Sequence, residues 1–370
     1  MKTILAILLV GVTFITSAQD LALARLDGKF GYINREGEMV IDNIYDHAGS
    51  FSDDLAAVFK DDKWGFISRD GEWKIAPTFD KVKRFDSGIA VVLKGDEWIY
   101  IDKEGNQIND FPQTDKLYDF VEGRAIIRRG DNVGIIDNKG KVIVEPEFQE
   151  IKDYKDGCAK AKKFDRWGYL DKSGETMIDF DYDDVGECVN GLTWAKKGEK
   201  FGIVKNNSFE SIEGIESIWD FNEEGIAYAQ KGDLVGYINA DGEWIIKPQY
   251  QKARAFVNGI APVLVKKEWG YIDLEGNWVV EPRYKDAEVF SEGGRAPVKI
   301  KSWGFIDESG KLVIPADYEI TAGGFNMFKF EEKGFINGLS RVKTRKGWAY
   351  LNPEGEVLGD QWYQNLELFK

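Results

Sequence analysis

The sequence is poor in the side chains that most often carry chemistry. It has one histidine, His47, and two cysteines, Cys158 and Cys188, in 370 residues. A single imidazole excludes a histidine pair for a metal ion and leaves one candidate base for a Ser-His-Asp triad. Two thiols outside a Cys-x-x-Cys motif do not make a four-cysteine zinc site. We therefore expect no catalytic residues, no metal site and no cofactor.

Basic residues are also fewer than acidic residues. The chain has 49 lysine and arginine residues against 64 aspartate and glutamate residues, which gives a formal net charge of −15. Coulomb repulsion makes nucleic acid and anionic lipid surfaces unfavourable partners for such a chain. Acidic pairs such as Asp61-Asp62 and Asp183-Asp184 fall at turn-like places. We interpret them as solvated turns rather than as the paired carboxylates of a glycosidase.

Long apolar runs are missing except at the N-terminus. There Lys2 precedes the apolar run TILAILLVGVTFIT, which is followed by SAQD, a stretch that begins with small residues. This order predicts a secretory signal peptide over residues 1–18, because the apolar run is shorter than the ~20 residues of a membrane-spanning helix. We expect an exported protein that is periplasmic, extracellular or associated with the cell surface. Its mature chain is predicted to have no membrane span and to form a single domain over residues 19–370.

A glycine that follows an aromatic or apolar residue recurs along the whole mature chain, with steps of 34 or 35 residues. The residues at this place in successive units, with Ile99 and Ala349 replacing the glycine, are Gly31, Gly65, Ile99, Gly134, Gly168, Gly202, Gly236, Gly270, Gly304 and Ala349. The last step is 45 residues, which predicts an insertion at about residues 316–340. So regular a period indicates a tandem array of about ten units of 34 residues.

Each unit alternates short apolar runs with turn signals. The run Gly270–Asp273 predicts a strand, and Asp273 with Gly276 predicts a type I turn closed by a left-handed glycine. A return strand follows, which Pro282 is expected to end because proline cannot donate to the ladder. The pattern Phe256–Gly259 predicts a second turn before a third strand. The mature chain is therefore predicted to be all-β, with about three short antiparallel strands in each unit.

The repeated motif Lys/Glu-Trp-Gly-Phe/Tyr-Ile, as in Lys63–Ile67 and Glu268–Asp273, resembles that of the WG-repeat (KWG) family of bacterial exported proteins. The match extends from about Leu23 to the end of the chain. The resemblance implies an interaction scaffold and brings no shared catalytic residues. Within the array, we expect the tryptophan of one unit, such as Trp269, to pack on the motif glycine of a neighbouring unit.

Two arrangements of the ten units fit these observations. Three strands in 34 residues are few for a propeller blade of about 40–50 residues, which favours an open or spiral solenoid-like array. The alternative is a closed, propeller-like toroid, in which the ends of the chain would complete one another's sheet.

Three further tryptophans, Trp73, Trp244 and Trp278, stand eight residues after the unit glycine. Trp244 and Trp278 belong to adjacent units and would line up as an aromatic strip that stacks sugar rings or buries apolar residues of a partner. The competing interpretation places these residues in the core between units. We interpret Trp219 as core in a degenerate unit, because it takes the place held in other units by Ala48, Val82, Val185 and Ala253.

These observations lead to one function and one alternative. The first is an exported, non-enzymatic scaffold that mediates protein–protein interaction through an extended surface containing aromatic residues. The alternative is a carbohydrate-binding protein that uses the aromatic strip to hold cell-wall glycans. Cys158 and Cys188 lie in consecutive units, and a disulfide between them is predicted if their Cα atoms come within about 7 Å.

Overall fold

The computed structural model describes residues 20–319 and 333–370. The predicted signal peptide, residues 1–18, lies outside these ranges, as does the middle of the predicted insertion, residues 320–332. Apart from one 3-10 turn at Leu358–Asp360, every regular element in the described part is a β-strand, which confirms the all-β prediction. No helix in those two ranges is long and apolar enough to cross a bilayer.

The strands form ten small antiparallel sheets arranged in a ring, which we number as blades 1 to 10. In sheet order, the first five contain, for blade 1, Asn365–Leu366, Ala22–Leu26, Lys29–Ile33 and Met39–Tyr45; for blade 2, His47–Ala48, Ala56–Lys60, Lys63–Ile67 and Trp73–Phe79; for blade 3, Lys81–Val82, Ala90–Lys94 and Glu97–Ile101; for blade 4, Arg124–Arg129, Asn132–Asp137 and Val142–Phe148; and for blade 5, Glu150–Ile151, Cys158–Lys163, Arg166–Asp171 and Thr176–Tyr182.

The other five blades follow the same plan. They contain, for blade 6, Asp184–Val185, Leu192–Lys197, Lys200–Lys205 and Ser208–Ser211; for blade 7, Ser217–Ile218, Ala227–Lys231, Leu234–Ile238 and Trp244–Tyr250; for blade 8, Lys252–Ala253, Ala261–Val265, Glu268–Ile272 and Trp278–Tyr284; for blade 9, Asp286–Ala287, Ala296–Lys299, Trp303–Ile306 and Leu312–Tyr318; and for blade 10, Phe335–Ile336, Leu339–Thr344 and Gly347–Leu351. A full blade thus has four strands, called first to fourth in this order, and the first is only two residues long.

The fourth strand bends at a β-bulge beside the motif glycine. In blade 8, Tyr271 pairs with Val280 and Trp269 pairs with Tyr284, so the fourth strand carries two extra residues between these pairs. A Cβ atom on Gly270 would lie 2.6 Å from the carbonyl oxygen of Val280. Only a residue without a side chain permits two backbones to come so close.

Two expectations about this motif are wrong. Pro282 does not end its strand, which runs from Trp278 to Tyr284, because the proline lies in the bulge, where no ladder donor is needed. The space at the motif glycine is filled by the fourth strand of the same blade and not by a tryptophan of a neighbouring unit. Trp269 packs instead in the cluster that includes Ala287 and Val298 of blade 9.

The glycine is present wherever a fourth strand is present. Ile99 replaces it in blade 3 and Ala349 replaces it in blade 10, and these are the two blades in the described part that lack a fourth strand. In blade 6, whose unit lacks the turn glycine and the proline, the fourth strand is a short, regular one at Ser208–Ser211. The motif glycine therefore accompanies a closely packed fourth strand, whether that strand is bulged or regular.

The predicted turns are confirmed. The carboxylate of Asp273 accepts the N–H group of Asn277 at 2.7 Å, and the N–H group of Gly276 donates to the carbonyl oxygen of Asp273 at 3.0 Å. Gly276 has a φ of +82°, the left-handed conformation that glycine adopts without strain. In the second turn, Asn258 and Gly259 both have positive φ, as a two-residue hairpin requires.

Neighbouring blades are joined by an aromatic pair and a hydrogen bond. Tyr271 of blade 8 packs on Phe290 of blade 9 with ring centroids 5.1 Å apart, and its hydroxyl donates to the carbonyl oxygen of Glu288 at 2.8 Å. Burial raises the pKa of Tyr271 well above its usual value, so the hydroxyl keeps its proton as a donor. The same pairing recurs in Tyr32–Phe51, Phe66–Phe85, Tyr100–Phe120, Tyr237–Phe256 and Phe305–Phe335. The hydrophobic core therefore lies between blades.

The C-terminal strand closes the ring. Asn365–Leu366 pairs with Ala22–Leu26 and serves as the first strand of blade 1. The N–H group of Glu367 donates to the carbonyl oxygen of Leu23 at 2.8 Å, and the side chain of Leu366 is fully buried. The ten 34-residue units are confirmed. They form the closed toroid that was the alternative, and the open or spiral array is not formed.

Because successive strands run antiparallel, turns alternate between the two faces of the ring. The two-residue turns between second and third strands lie on one face, which we call the hairpin face. The residue that joins a fourth strand to the next blade lies there too, since the N–H group of Gly95 in such a turn donates to the carboxylate of the joining residue Asp80 at 2.9 Å. The Asp-x-x-Gly and Phe-x-x-Gly turns lie on the opposite face.

Candidate functional site

The three tryptophans predicted to bind a ligand lie in three blades. Trp73, Trp244 and Trp278 each begin the fourth strand of their blade. Trp73 and Trp278 are exposed and turn a ring edge to a tyrosine of the preceding blade, Tyr45 and Tyr250 respectively. Trp244 is half-buried against the core between blades 6 and 7. In the described part of the chain, Trp244 and Trp278 make no ring contact with each other, and their role in binding stays a prediction.

A groove between blades 7 and 8 combines aromatic and cationic side chains. It has a volume of about 570 Å³. Its lining residues are Tyr228, Lys252, Ala253, Arg254, Leu264, Lys267, Trp269, Lys285 and Asp286. The groove therefore places four cations and one acid beside two aromatic rings, on a chain whose net charge is −15.

Arg254 is the centre of this groove. Its guanidinium contacts Asp286 and Glu288, each with a nitrogen–oxygen distance of 3.0 Å, and lies 5.1 Å from the ring centroid of Trp269. Glu288 is buried, and a second cation, Lys333, contacts it at 2.6 Å. Two carboxylates and an aromatic face thus hold the guanidinium in one orientation, which gives the groove a fixed, planar cation.

Trp219 extends the aromatic wall of the groove. Its ring stacks on Tyr228 with centroids 4.7 Å apart and an interplanar angle of 17°, and 37% of the residue is exposed. Burial raises the pKa of Tyr228, and the nearby charge of Arg254 opposes this shift. Tyr228 therefore keeps its hydroxyl proton and offers a hydrogen-bond donor beside an exposed ring.

The interpretation of Trp219 as a core residue is wrong, because its alignment with the first strands of the other blades is displaced by one residue. Ile218, at the end of the short first strand, is the buried residue, and it corresponds to Ala48 in blade 2. Trp219 corresponds to Gly49 and Arg254, which follow that strand. A shift of one residue along a strand exchanges the buried and exposed faces. The exact pairing of the first strand would have identified Trp219 as exposed.

An equivalent groove lies between blades 2 and 3 and has a volume of about 620 Å³. There, Ala57 and Gly49 stand in the places of Tyr228 and Trp219. Of these two grooves, the one between blades 7 and 8 alone has the stacked aromatic pair.

Of the two acidic pairs, Asp61-Asp62 forms a turn as expected, whereas Asp183 joins blades 5 and 6 and Asp184 begins the first strand of blade 6. Asp61 and Asp62 make the two-residue turn of blade 2 with φ values of 51° and 61°. Over residues 20–319 and 333–370, no group of three or more histidine, cysteine, aspartate or glutamate side chains is placed to hold a metal ion.

Cys158 and Cys188 are buried neighbours in the core between blades 5 and 6. Both are thiols, and the sulfur of Cys158 lies 3.9 Å from the carbonyl oxygen of Cys188. The proximity of the two thiols lowers the pKa of Cys188 and raises that of Cys158. The structure brings the pair together, and the disulfide stays a prediction.

Ten antiparallel sheets closed into a ring define a ten-bladed β-propeller. Seven stretches match the family described as WG containing repeat, namely residues 30–64, 64–98, 134–164, 167–201, 236–268, 269–302 and 303–326. They cover more than half of the sequence, and the chain belongs to this WG-repeat family. No curated protein matches the chain.

Several solved structures are similar at low identity. A crystal structure described as that of the eukaryotic initiation factor has 9% identity and a TM-score of 0.48, and the match covers 95% of this chain and 98% of that one. PorZ, a surface component of the type-IX secretion system of Porphyromonas gingivalis, has 10% identity and a TM-score of 0.28, with 91% of this chain and 57% of PorZ covered. The extracellular domain of BT3049 from B. thetaiotaomicron has 11% identity and a TM-score of 0.25, with 92% and 56% covered. With TM-scores below 0.5, these likenesses carry no functional assignment.

Proposed function

We propose that the chain is an exported, non-enzymatic scaffold that binds another protein at the groove between blades 7 and 8. The observation that carries this proposal is the exposed stack of Trp219 on Tyr228, next to the fixed guanidinium of Arg254. Tryptophan, tyrosine and arginine are the residues that most often dominate the energy of protein–protein interfaces.

The closed repeat fold supports the same proposal. A ring of ten blades, with its hydrophobic core between neighbouring blades, presents its grooves on a continuous frame. A preformed surface loses little conformational entropy on association. It can therefore bind a partner even when that partner has few ordered groups. A β-propeller built from repeats is consistent with a protein-interaction scaffold.

The proposal predicts that binding depends on the stacked pair. The tagged mature chain, residues 19–370, would be immobilised and exposed to a cell-envelope extract, and the retained proteins would be quantified by mass spectrometry. The double variant Trp219→Ala/Tyr228→Ala is expected to lose the specifically retained proteins by about tenfold or more, because truncation of an interface anchor costs roughly 2 kcal/mol or more.

Trp98→Ala provides the matched control, since Trp98 is a similarly exposed tryptophan on the distant blade 3. This variant is expected to retain the same proteins as the unmodified chain. Equal retention by all three chains, or no specific retention by any, would refute the groove as a docking site. Quenching of tryptophan fluorescence by cell-wall glycans, lost in Trp73→Ala or in Trp244→Ala/Trp278→Ala, would favour the glycan-binding alternative instead.

A further inference from the structure

The hairpin face carries opposite charges on two arcs of the ring. In blades 1 to 7 each two-residue turn contains an acid, and these acids are Asp27, Asp61, Asp62, Asp96, Asp131, Asp165, Glu199 and Asp233. In blades 8 to 10 the corresponding turns contain only cations among their charged residues, namely Lys266, Lys267, Lys301, Arg345 and Lys346. The sign of the charge therefore reverses between blades 7 and 8.

The residues that join consecutive blades depart from the acidic pattern at one position, between blades 8 and 9, whereas Glu319 keeps an acid between blades 9 and 10. Elsewhere these joining residues are acids or amides, namely Asp46, Asp80, Asp115, Gln149, Asp183, Glu216, Gln251, Glu319 and Gln364. Lys285, between blades 8 and 9, is the one cation in this position. It lines the groove together with Lys252 and Lys267. We define the basic arc as Lys252, Lys266, Lys267, Lys285, Lys301, Arg345 and Lys346, all of which are exposed.

The cations of the two arcs differ in part in how they are neutralised. In the acidic arc, some cations next to the turns pair with acids, as in Lys63 with Asp80 and Lys197 with Asp181, although Lys94 and Lys231 pair with no acid in the described part of the chain. Of the seven cations of the basic arc, none forms an ion pair with any residue that the structure describes. Unpaired like charges repel one another at short range. Their accumulation on an otherwise acidic chain therefore favours an anion supplied from outside.

Aromatic rings lie directly behind the basic arc. Trp269 and Trp303, at the third strands of blades 8 and 9, are buried beside the turns. In blade 10, the ammonium group of Lys346 lies 5.8 Å from the ring centroid of Trp362. The arc thus offers cations at the surface and apolar rings beneath them, which suits a polypeptide that carries both carboxylates and apolar side chains better than it suits a simple ion.

The basic arc is short, and its length favours a short anionic partner over a long one. It covers three of ten blades and is flanked on both sides by blades whose turns are acidic. A long polyanion such as a nucleic acid would extend over these acidic turns and be repelled there. A short acidic segment would fit within the arc, whose turn residues carry only positive charge.

We propose that the basic arc docks a short acidic segment of a protein partner, rich in aspartate and glutamate, whose path leads into the groove between blades 7 and 8. This inference rests on the proposed scaffold function and adds the chemical class of the partner. Electrostatic attraction by the arc raises the association rate, and the stacked aromatic pair in the groove slows dissociation.

The test measures binding of a fluorescein-labelled octaglutamate peptide by anisotropy at low salt. The chain is expected to bind this peptide, and the variant Lys267→Asp/Lys346→Asp is expected to bind it at least about tenfold more weakly. Aspartate is the residue that most other blades carry in this turn, so the variant is compatible with the fold. The control Lys94→Glu/Lys231→Glu makes the same change in net charge beside the turns of blades 3 and 7, and it is expected to bind normally.

Three outcomes would overturn the inference: no binding of octaglutamate, equal weakening in both double variants, or tighter binding of an octathymidine oligonucleotide than of octaglutamate. The pull-down separates this inference from the proposed function. If the envelope proteins are lost with Trp219→Ala/Tyr228→Ala but kept with Lys267→Asp/Lys346→Asp, the scaffold function stands and the acidic partner is excluded. If neither variant changes their retention, the groove itself is excluded.

Discussion

Replacing Gly270 with alanine is expected to lower the free energy of unfolding by about 3 kcal/mol, the upper part of the usual range for overpacking. The added Cβ atom would lie 2.6 Å from the carbonyl oxygen of Val280 and 2.8 Å from the nitrogen of Pro282. Both atoms belong to backbone, so no side-chain rotation relieves the clash. The bulge would have to open, and Tyr284 would lose its pairing with Trp269. Urea-induced unfolding, followed by circular dichroism, measures the change as a lower midpoint.

Gly49→Ala is the matched control for this substitution. A Cβ atom on Gly49 would have its nearest neighbour, the carbonyl oxygen of Ala57, at 3.9 Å, which is an ordinary contact. Its unfolding midpoint is expected to stay within experimental error of that of the unmodified chain. If Gly270→Ala behaved in the same way as Gly49→Ala, the motif glycine would have no structural role of the kind described above.

Replacing Leu366 with alanine is expected to lower the free energy of unfolding by about 2–5 kcal/mol, as for other fully buried leucines. Leu366 packs with Ala24, Leu339 and Tyr350, so it joins blades 1 and 10 through the C-terminal strand. Backbone hydrogen bonds between residues 21–25 and 364–370 also hold the ring closed, and the Leu366 side chain fills the core that these two segments cover. The cavity would therefore weaken the closure as well as the local core.

Leu234→Ala tests whether this effect depends on closure, since Leu234 is an exposed leucine on blade 7. It is expected to change stability by less than about 0.5 kcal/mol. Thermal unfolding by differential scanning calorimetry should show a lower and broader transition for Leu366→Ala alone, because an opened array of repeats unfolds less cooperatively. An unchanged transition would show that the C-terminal strand contributes little to the native state.

The repeat unit could be predicted from the sequence because its determinants are local. The Asp-x-x-Gly turn depends on one carboxylate and one left-handed glycine, so Asp273 and Gly276 are sufficient to identify it. The role of the motif glycine is not local. It depends on a bulge made by residues eight to twelve positions later, and the same spacing would also fit a glycine that receives a ring from a neighbouring unit.

Closure of the ring could not be predicted from the sequence, because it depends on the small angle by which each blade is rotated relative to the one before it. No single residue sets that rotation, and an open spiral and a closed ring share the same strands, turns and core pattern. The pairing of Asn365–Leu366 with Ala22–Leu26 decides between them, and these residues are separated by almost the whole chain. A strand of two residues carries too little periodicity to be recognised in a sequence.

The candidate site could be predicted from the sequence only in part, for a similar reason. Trp244 and Trp278 were identified by their place in the period, and the structure puts them in adjacent blades. Trp219 was missed because a one-residue error in the first strand reverses which side chain is buried. The basic arc is visible in the sequence, but only after the two-residue turns at positions such as Lys266-Lys267 are known to share one face of a closed ring.

A disulfide engineered across the closure tests the central claim that the ten units form a closed ring. Arg25 and Asn365 are direct partners in the antiparallel pairing of blade 1. Such partners have Cα atoms about 4.5–5.5 Å apart, within the range that a disulfide spans. The variant Arg25→Cys/Asn365→Cys, made with Cys158→Ser and Cys188→Ser, would be oxidised and its peptides mapped by mass spectrometry, with Arg25→Cys/Asp233→Cys as the unpaired control. The closed ring predicts a bond between the two ends of one chain in the monomer of the first variant alone, whereas free thiols in the monomer, or bonds found only between chains, would contradict it.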